Sequence, residues 1–152
     1  MNRRKLSIMA AILLGLTFIV FSLANLSRDV SLNGWESQAE GYAKALQQQK
    51  QSGKPIVVLF YTDWCASCKV LKAEILSSPE VEAFMKNEVL AVKINPERGA
   101  DVASLAKEFG VIGYPMVFVV LNKQAGVEIR WIRKTSRVSS QQFIEQIQRS
   151  LL

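Results

Sequence analysis

Histidine is missing from the sequence altogether. That absence removes Ser-His-Asp catalysis, Cys-His catalysis and every histidine-ligated zinc site. It leaves cysteines, carboxylates and amines as the groups able to do chemistry. Cysteine is scarce as well: 152 residues contain 2, Cys65 and Cys68. A long-range disulfide staple is therefore impossible. The Cys65-Ala66-Ser67-Cys68 spacing closes so small a loop that it does little to constrain an unfolded chain, so stabilisation is a poor explanation for the pair.

Acidic residues are missing from the first 24 positions, where Arg3, Arg4 and Lys5 stand together. Over the whole chain Lys and Arg number 19 against 13 Asp and Glu, a formal net charge of +6, and the N-terminal cluster accounts for half of it. The remaining surplus is spread along solvated faces, so nucleic acid is not an expected partner. Residues 6–24 carry no charge, and a helix of roughly 20 apolar residues crosses a bilayer core of about 30 Å. With the basic cluster held inside, everything after residue 25 lies on the outer face. The same run ends in Ser22-Leu23-Ala24, small residues of the kind a signal peptidase reads. Two outcomes stay open: an uncleaved anchor in the inner membrane through 6–24, or cleavage near Ala24. Both place the rest of the chain extracytoplasmically, on the periplasmic side. Residues 25–32 read as a short linker and 33–152 as one globular domain, without repeats or low-complexity tracts.

Within that domain, Trp35, Ala39, Tyr42, Ala43 and Leu46 recur at helical spacing. Residues 55–61 form a continuous apolar, β-branched run, the pattern of a central strand buried on both faces. Thr62-Asp63-Trp64 and the cysteines follow at once, then a helical pattern through Val70, Leu71, Ile75 and Leu76. Ser77-Ser78-Pro79-Glu80 restarts a helix, with a Ser cap and Pro79 in its first turn, and Val81, Phe84 and Met85 form its buried face. Residues 89–94 read as a strand, 101–109 as a helix ending before Gly110, and 116–121 as another strand. Residues 127–132 alternate, as an outer antiparallel strand with one wet face does. Ser139 or Ser140 caps a closing helix that turns Phe143, Ile144, Ile147 and Leu151 inward. Trp35 and Trp131 read as packing residues.

The C-x-x-C lies where the central strand gives way to a helix, so Cys65 occupies that helix's N-terminal end. Unpaired N–H groups and the positive end of the helix dipole favour a thiolate there, below the free value of about 8.5. A thiolate attacks disulfides, and Cys68, one turn further in, is placed to attack the resulting mixed disulfide and release the partner. The expected roles are nucleophile for Cys65 and resolver for Cys68. A different class of function stays open beside this one: a redox-silent module, or one holding Cu(I) between two thiolates. Metal delivery usually wants an exposed flexible loop. Zinc lacks two further ligands, and no cofactor is implied.

Phe60-Tyr61-Thr62-Asp63-Trp64-Cys65-Ala66-Ser67-Cys68-Lys69, followed about 50 positions later by Gly110-Val111-Ile112-Gly113-Tyr114-Pro115, resembles the thioredoxin superfamily. The Asp63–Lys69 run, with Ser78-Pro79-Glu80-Val81 behind it, is most similar to the C-terminal periplasmic domain of the thiol-disulfide interchange reductases. The resemblance covers residues 35–150 and implies an α/β thioredoxin fold, a central mixed sheet flanked by helices. It further implies a cis Pro115 beside the cysteines, a Tyr114 backbone that pairs with an extended substrate segment, and a Trp64 that shields the disulfide and offers an apolar platform. The implied activity is thiol-disulfide exchange with protein substrates, leaning toward reduction, with a membrane electron donor as partner. The sequence departs from the family at Leu59, where many members carry a buried acid that serves the resolving thiol. Glu74, six residues beyond Cys68, is the candidate substitute, though an exposed helix carboxylate is the plainer reading. Lys69 is a possible tuner of the thiols, or a solvated helix residue.

Overall fold

Strand and helix follow one another in an order that puts the most apolar run of the chain at the centre of a five-stranded sheet. The computed structural model describes residues 32–123, 126–132 and 138–152, together with Gly15. The expected anchor or signal at 1–24, Gly15 apart, and the linker up to residue 31 lie outside these residues. Among the described residues no helix is long and apolar enough to cross a membrane. Leu32, expected at the end of the linker, is buried in the core.

The elements are β1 (Glu36–Ser37), α1 (Gln38–Ser52), β2 (Ile56–Phe60) and α2 (Ala66–Leu71), which runs on into a π-helical turn, Lys72–Leu76. Then come α3 (Pro79–Asn87), β3 (Leu90–Ile94), a 3-10 turn (Pro96–Arg98), α4 (Ala100–Glu108), β4 (Met116–Lys123), β5 (Gly126–Ile132) and α5 (Ser140–Arg149). Spatial order across the sheet is β1-β3-β2-β4-β5. β3 runs parallel to both β1 and β2, whereas β4 is antiparallel to β2 and β5 to β4. This is the mixed sheet flanked by helices that the resemblance implies.

All five residues of β2 are buried, and the period-2 alternation of a strand sends them to two separate cores. Val57 and Leu59 join Leu71, Ile75 and Leu76 of the second helix, Val81 and Met85 of α3 and Phe143 and Ile147 of α5. Ile56, Val58 and Phe60 join Ala45 of α1, Val102 and Ala106 of α4, and Phe109 and Phe118. Each fully buried aliphatic side chain is worth about 1.5–3 kcal/mol over an exposed one. β2 is thereby the fixed member of the sheet, and the segment that leaves its C-terminal end starts from a rigid base.

The helix termini show the local chemistry. Gly53 closes α1 with φ 71°, its N–H donating to the Gln49 carbonyl, a left-handed cap that costs glycine nothing. Ser139 Oγ accepts from Gln142 N while Ser139 N donates to Gln142 Oε1, a reciprocal capping box on α5. Ser78 holds the N-cap position of α3, as a serine was expected to, but without a side-chain capping bond. Its hydroxyl donates back to the Ile75 carbonyl at 2.8 Å instead of capping α3, because the π turn leaves that carbonyl within reach. The two-residue β1 was not expected, and pairing it with β3 moves the start of α1 to Gln38 and leaves Trp35 half-buried ahead of the helix. Val70 points to solvent, Phe84 is only partly buried, and Leu151 is exposed because α5 ends at Arg149. Trp131 is 46% exposed, against the packing role expected of it, because it stands on the edge strand β5.

Candidate active site

The C-terminal end of β2 delivers the chain to the site. Tyr61 N donates to the Ile94 carbonyl of β3, which continues the sheet by one residue, and Cys65 N closes a turn on the Thr62 carbonyl at 3.3 Å. Cys65 then caps α2 with extended backbone, and its Sγ accepts the N–H of Cys68 at 3.1 Å. A disulfide joins the two cysteines, with their Cα atoms 5.3 Å apart. Both cysteines are buried, Cys65 at 4% and Cys68 at 1% exposure, and Cys65 is the one that stands at the N-terminal end of the helix. The Cys68 amide aimed at Cys65 Sγ stabilises negative charge on that atom.

Trp64 and the Tyr114–Pro115 corner flank the pair. The Tyr114–Pro115 peptide is cis, and Ser67 Oγ donates to the Tyr114 carbonyl at 3.3 Å. The Trp64 indole meets the Tyr114 ring edge to face, centroids 6.2 Å apart. Trp64 is 68% exposed, so an apolar ring lies open beside the cysteines. The structure brings Cys65, Cys68, Trp64, Tyr114 and Pro115 to one end of the sheet.

Lys69 and Glu74 are exposed helix residues. Glu74 therefore does not replace a buried acid: the π turn directs Ile75 and Leu76 into the core and leaves Glu74 in solvent. Leu59 is buried within the apolar core. The buried ionisable residue near the cysteines is instead Lys72, one helical turn past Cys68. It is 5% exposed, with Nζ 4.1 Å from the centroid of the Tyr61 ring, a cation–π contact in place of bulk water. Thr62 is buried too, and its Oγ1 has no hydrogen-bond partner among the described residues.

A second layer carries no signal in sequence beyond the turn-forming Asn95-Pro96 and Gly99. Asn95 Oδ1 accepts from Glu97 N, capping the 3-10 turn. From that turn, Arg98 Nη2 reaches both Asp63 carboxylate oxygens at 3.0 and 3.1 Å, and Asn95 Nδ2 donates to Asp63 Oδ2 at 3.1 Å. Glu97 Oε1 accepts the Trp64 indole N–H at 2.8 Å. The loop after β3 thus holds the two residues that precede Cys65. Among the described residues no cluster of three or more His, Cys, Asp or Glu side chains stands ready for a metal ion.

Comparison with known proteins places this geometry. A family model described as thioredoxin-like matches residues 35–121. The thiol:disulfide interchange protein DsbD of Yersinia pestis (strain Pestoides F) is 30% identical over 96 residues, 63% of this chain and 16% of that protein. Its namesake in Neisseria meningitidis serogroup A is 45% identical over 73 residues, 44% of this chain and 11% of that one. The chain thus spans less than a fifth of the length of these relatives. The crystal structure of the oxidised C-terminal domain of Neisseria meningitidis DsbD superposes with a TM-score of 0.58 at 30% identity, covering 76% of this chain and 97% of that domain. A thioredoxin from Thermus thermophilus shares the fold, with a TM-score of 0.65 at 17% identity over 78% of this chain and 88% of that one. A matched family model over more than half of the chain and near-complete coverage of a related domain lead to one conclusion: the chain belongs to the thioredoxin-like family of disulfide oxidoreductases, and its homologues are the C-terminal domains of DsbD.

Proposed function

We propose that the protein is an extracytoplasmic thiol-disulfide oxidoreductase that exchanges disulfides with protein substrates and works as a reductase. The observation that carries this reading is the Cys65–Cys68 disulfide at the start of α2, its outer sulfur accepting the Cys68 amide. In the reduced state the Cys65 thiolate attacks one sulfur of a substrate disulfide; that S–S bond breaks, and the second substrate sulfur leaves as a thiolate. Cys68 then gives up its proton and attacks Cys65 Sγ. The mixed disulfide breaks, the substrate departs with both sulfurs reduced, and two electrons have passed from the dithiol to the substrate. Trp64 supplies an apolar platform, and the Tyr114 backbone beside Pro115 pairs with an extended substrate segment.

The lean toward reduction comes from the resemblance to the thiol-disulfide interchange reductases, and the extracytoplasmic placement from the apolar run at 6–24 behind a basic cluster, which suits an anchor in the inner membrane or an exported chain. A reductase in an oxidising compartment needs electrons from elsewhere, so the partner on the donor side is a membrane protein that re-reduces Cys65–Cys68. The deciding measurement is the reduction potential of the purified chain, by equilibration against glutathione or dithiothreitol and counting of free thiols. A value at or below roughly −230 mV is expected; one near −120 mV would make the protein an oxidant. A pair that fails to cycle would overturn the oxidoreductase reading and favour a redox-silent or copper-binding module.

A further inference from the structure

Ser67 stands between the two halves of the site, and thiol-disulfide exchange between Cys65, Cys68 and a substrate leaves it unused. Its Oγ lies 3.4 Å from Cys65 Sγ and donates to the Tyr114 carbonyl at 3.3 Å. Ser67 is exposed on the first turn of α2, so its hydroxyl has room to rotate. A hydroxyl carries one proton and serves one of these acceptors at a time. While the disulfide is closed, the sulfur is neutral and a poor acceptor, and the carbonyl takes the proton. Reduction changes that order. Two electrons open the S–S bond, Cys68 takes up one proton, and Cys65 Sγ is left with a negative charge, the kind of acceptor that makes hydrogen bonds roughly twice as strong as neutral ones.

We infer that Ser67 is a catalytic residue whose hydroxyl turns from the Tyr114 carbonyl to the Cys65 thiolate when the pair is reduced. The turn has two effects. It stabilises the thiolate alongside the fixed Cys68 amide, and it frees the Tyr114 carbonyl for the backbone N–H of an extended substrate. The form able to reduce a substrate is then also the form whose docking edge is open. The inference rests on the oxidoreductase reading of Cys65 and Cys68.

The charged groups around Cys65 are Asp63, bound to Arg98; Glu97, bound to the Trp64 indole; and Lys69 and Lys72 along the same helix. Ser67→Ala leaves all of these in place, and Ser67 is exposed, so a change reports on the hydroxyl. The test follows the ultraviolet absorbance of the thiolate against pH in the full chain, together with its equilibrium against glutathione, for the wild type, Ser67→Ala and Ser67→Thr. Loss of a hydrogen bond to a charged group should raise the ionisation midpoint of Cys65 by about one pH unit and shift the equilibrium about tenfold toward the disulfide. Ser67→Thr, which keeps the hydroxyl, should restore both. An alanine variant that titrates and equilibrates like wild type would overturn the inference, as would a threonine variant displaced as far as the alanine one. A wild-type pair that never cycles against glutathione would instead refute the oxidoreductase reading itself and take this inference with it.

Discussion

The Trp64 indole N–H donates to Glu97 Oε1 at 2.8 Å, tying the residue before the first cysteine to a turn 33 residues further along the chain. With the same turn holding Asp63 through Arg98, the exposed indole keeps one orientation beside the sulfurs. Glu97→Ala should slow exchange with a protein disulfide by about fivefold, equivalent to about 1 kcal/mol, and should shift the Trp64 indole N–H resonance in an NMR spectrum. Global stability should change by less than about 0.5 kcal/mol, as is usual on the surface. An unchanged exchange rate would mean that the indole position is indifferent to the reaction.

The two cysteines should behave asymmetrically when replaced singly. Cys68→Ser leaves the nucleophile without a resolver, so a disulfide-bearing protein should accumulate as a mixed disulfide on Cys65, visible as a reductant-sensitive adduct in gel electrophoresis. Cys65→Ser should form little adduct, because Cys68 is nearly inaccessible at 1% exposure. Equal trapping by both variants would contradict the assigned order of attack.

Leu59 fills a position in the apolar core, and an acid placed there meets a site built for a hydrocarbon. Leu59→Asp should cost at least about 3 kcal/mol at neutral pH. Burial raises the folded pKa of the new carboxyl above its unfolded value of about 3.9. The protonated form is the better tolerated one, so the penalty should be smallest below about pH 4 and grow as pH rises toward the folded pKa, the unfolded chain alone being ionised in that window. Urea denaturation across pH measures this. A penalty independent of pH would mean that the carboxylate finds a cationic partner, for which Lys72 is the candidate.

Tyr42 gives a separate handle at high pH. Burial, and then the Glu108 carboxylate, push its phenol above the ordinary value of 10.0. A raised folded pKa contributes stability that is fully present below the unfolded pKa and is lost as pH rises through the folded one. Wild type should therefore lose more stability than Tyr42→Phe between about pH 9 and about pH 11, read as the difference in urea midpoint. Parallel losses in the two proteins would show that the phenol ionises in the folded protein without penalty.

Much of this molecule was legible before folding. The run at 55–61 announced a central strand because it is apolar throughout, of strand length and rich in β-branched residues, and the helices around it followed from their spacing and caps. The C-x-x-C at the end of that strand marked the site, since a strand-to-helix junction is a local event that local sequence encodes, and the family resemblance implied that Tyr114-Pro115 joins it. Tertiary structure alone decided the rest. Nothing local distinguishes Lys72, buried over Tyr61, from Lys69, which lies in solvent; the direction of each side chain depends on the π turn and on what packs against it. Glu97 and Arg98 look like ordinary charges in a polar turn until β3 brings that turn beside Trp64 and Asp63. Ser67 reads as a small helix residue until the cis corner at Tyr114 arrives from 47 positions away. Sequence determines which groups can react, because that is chemistry carried residue by residue. Their neighbours are set by contacts between distant segments, which exist only once the sheet has closed.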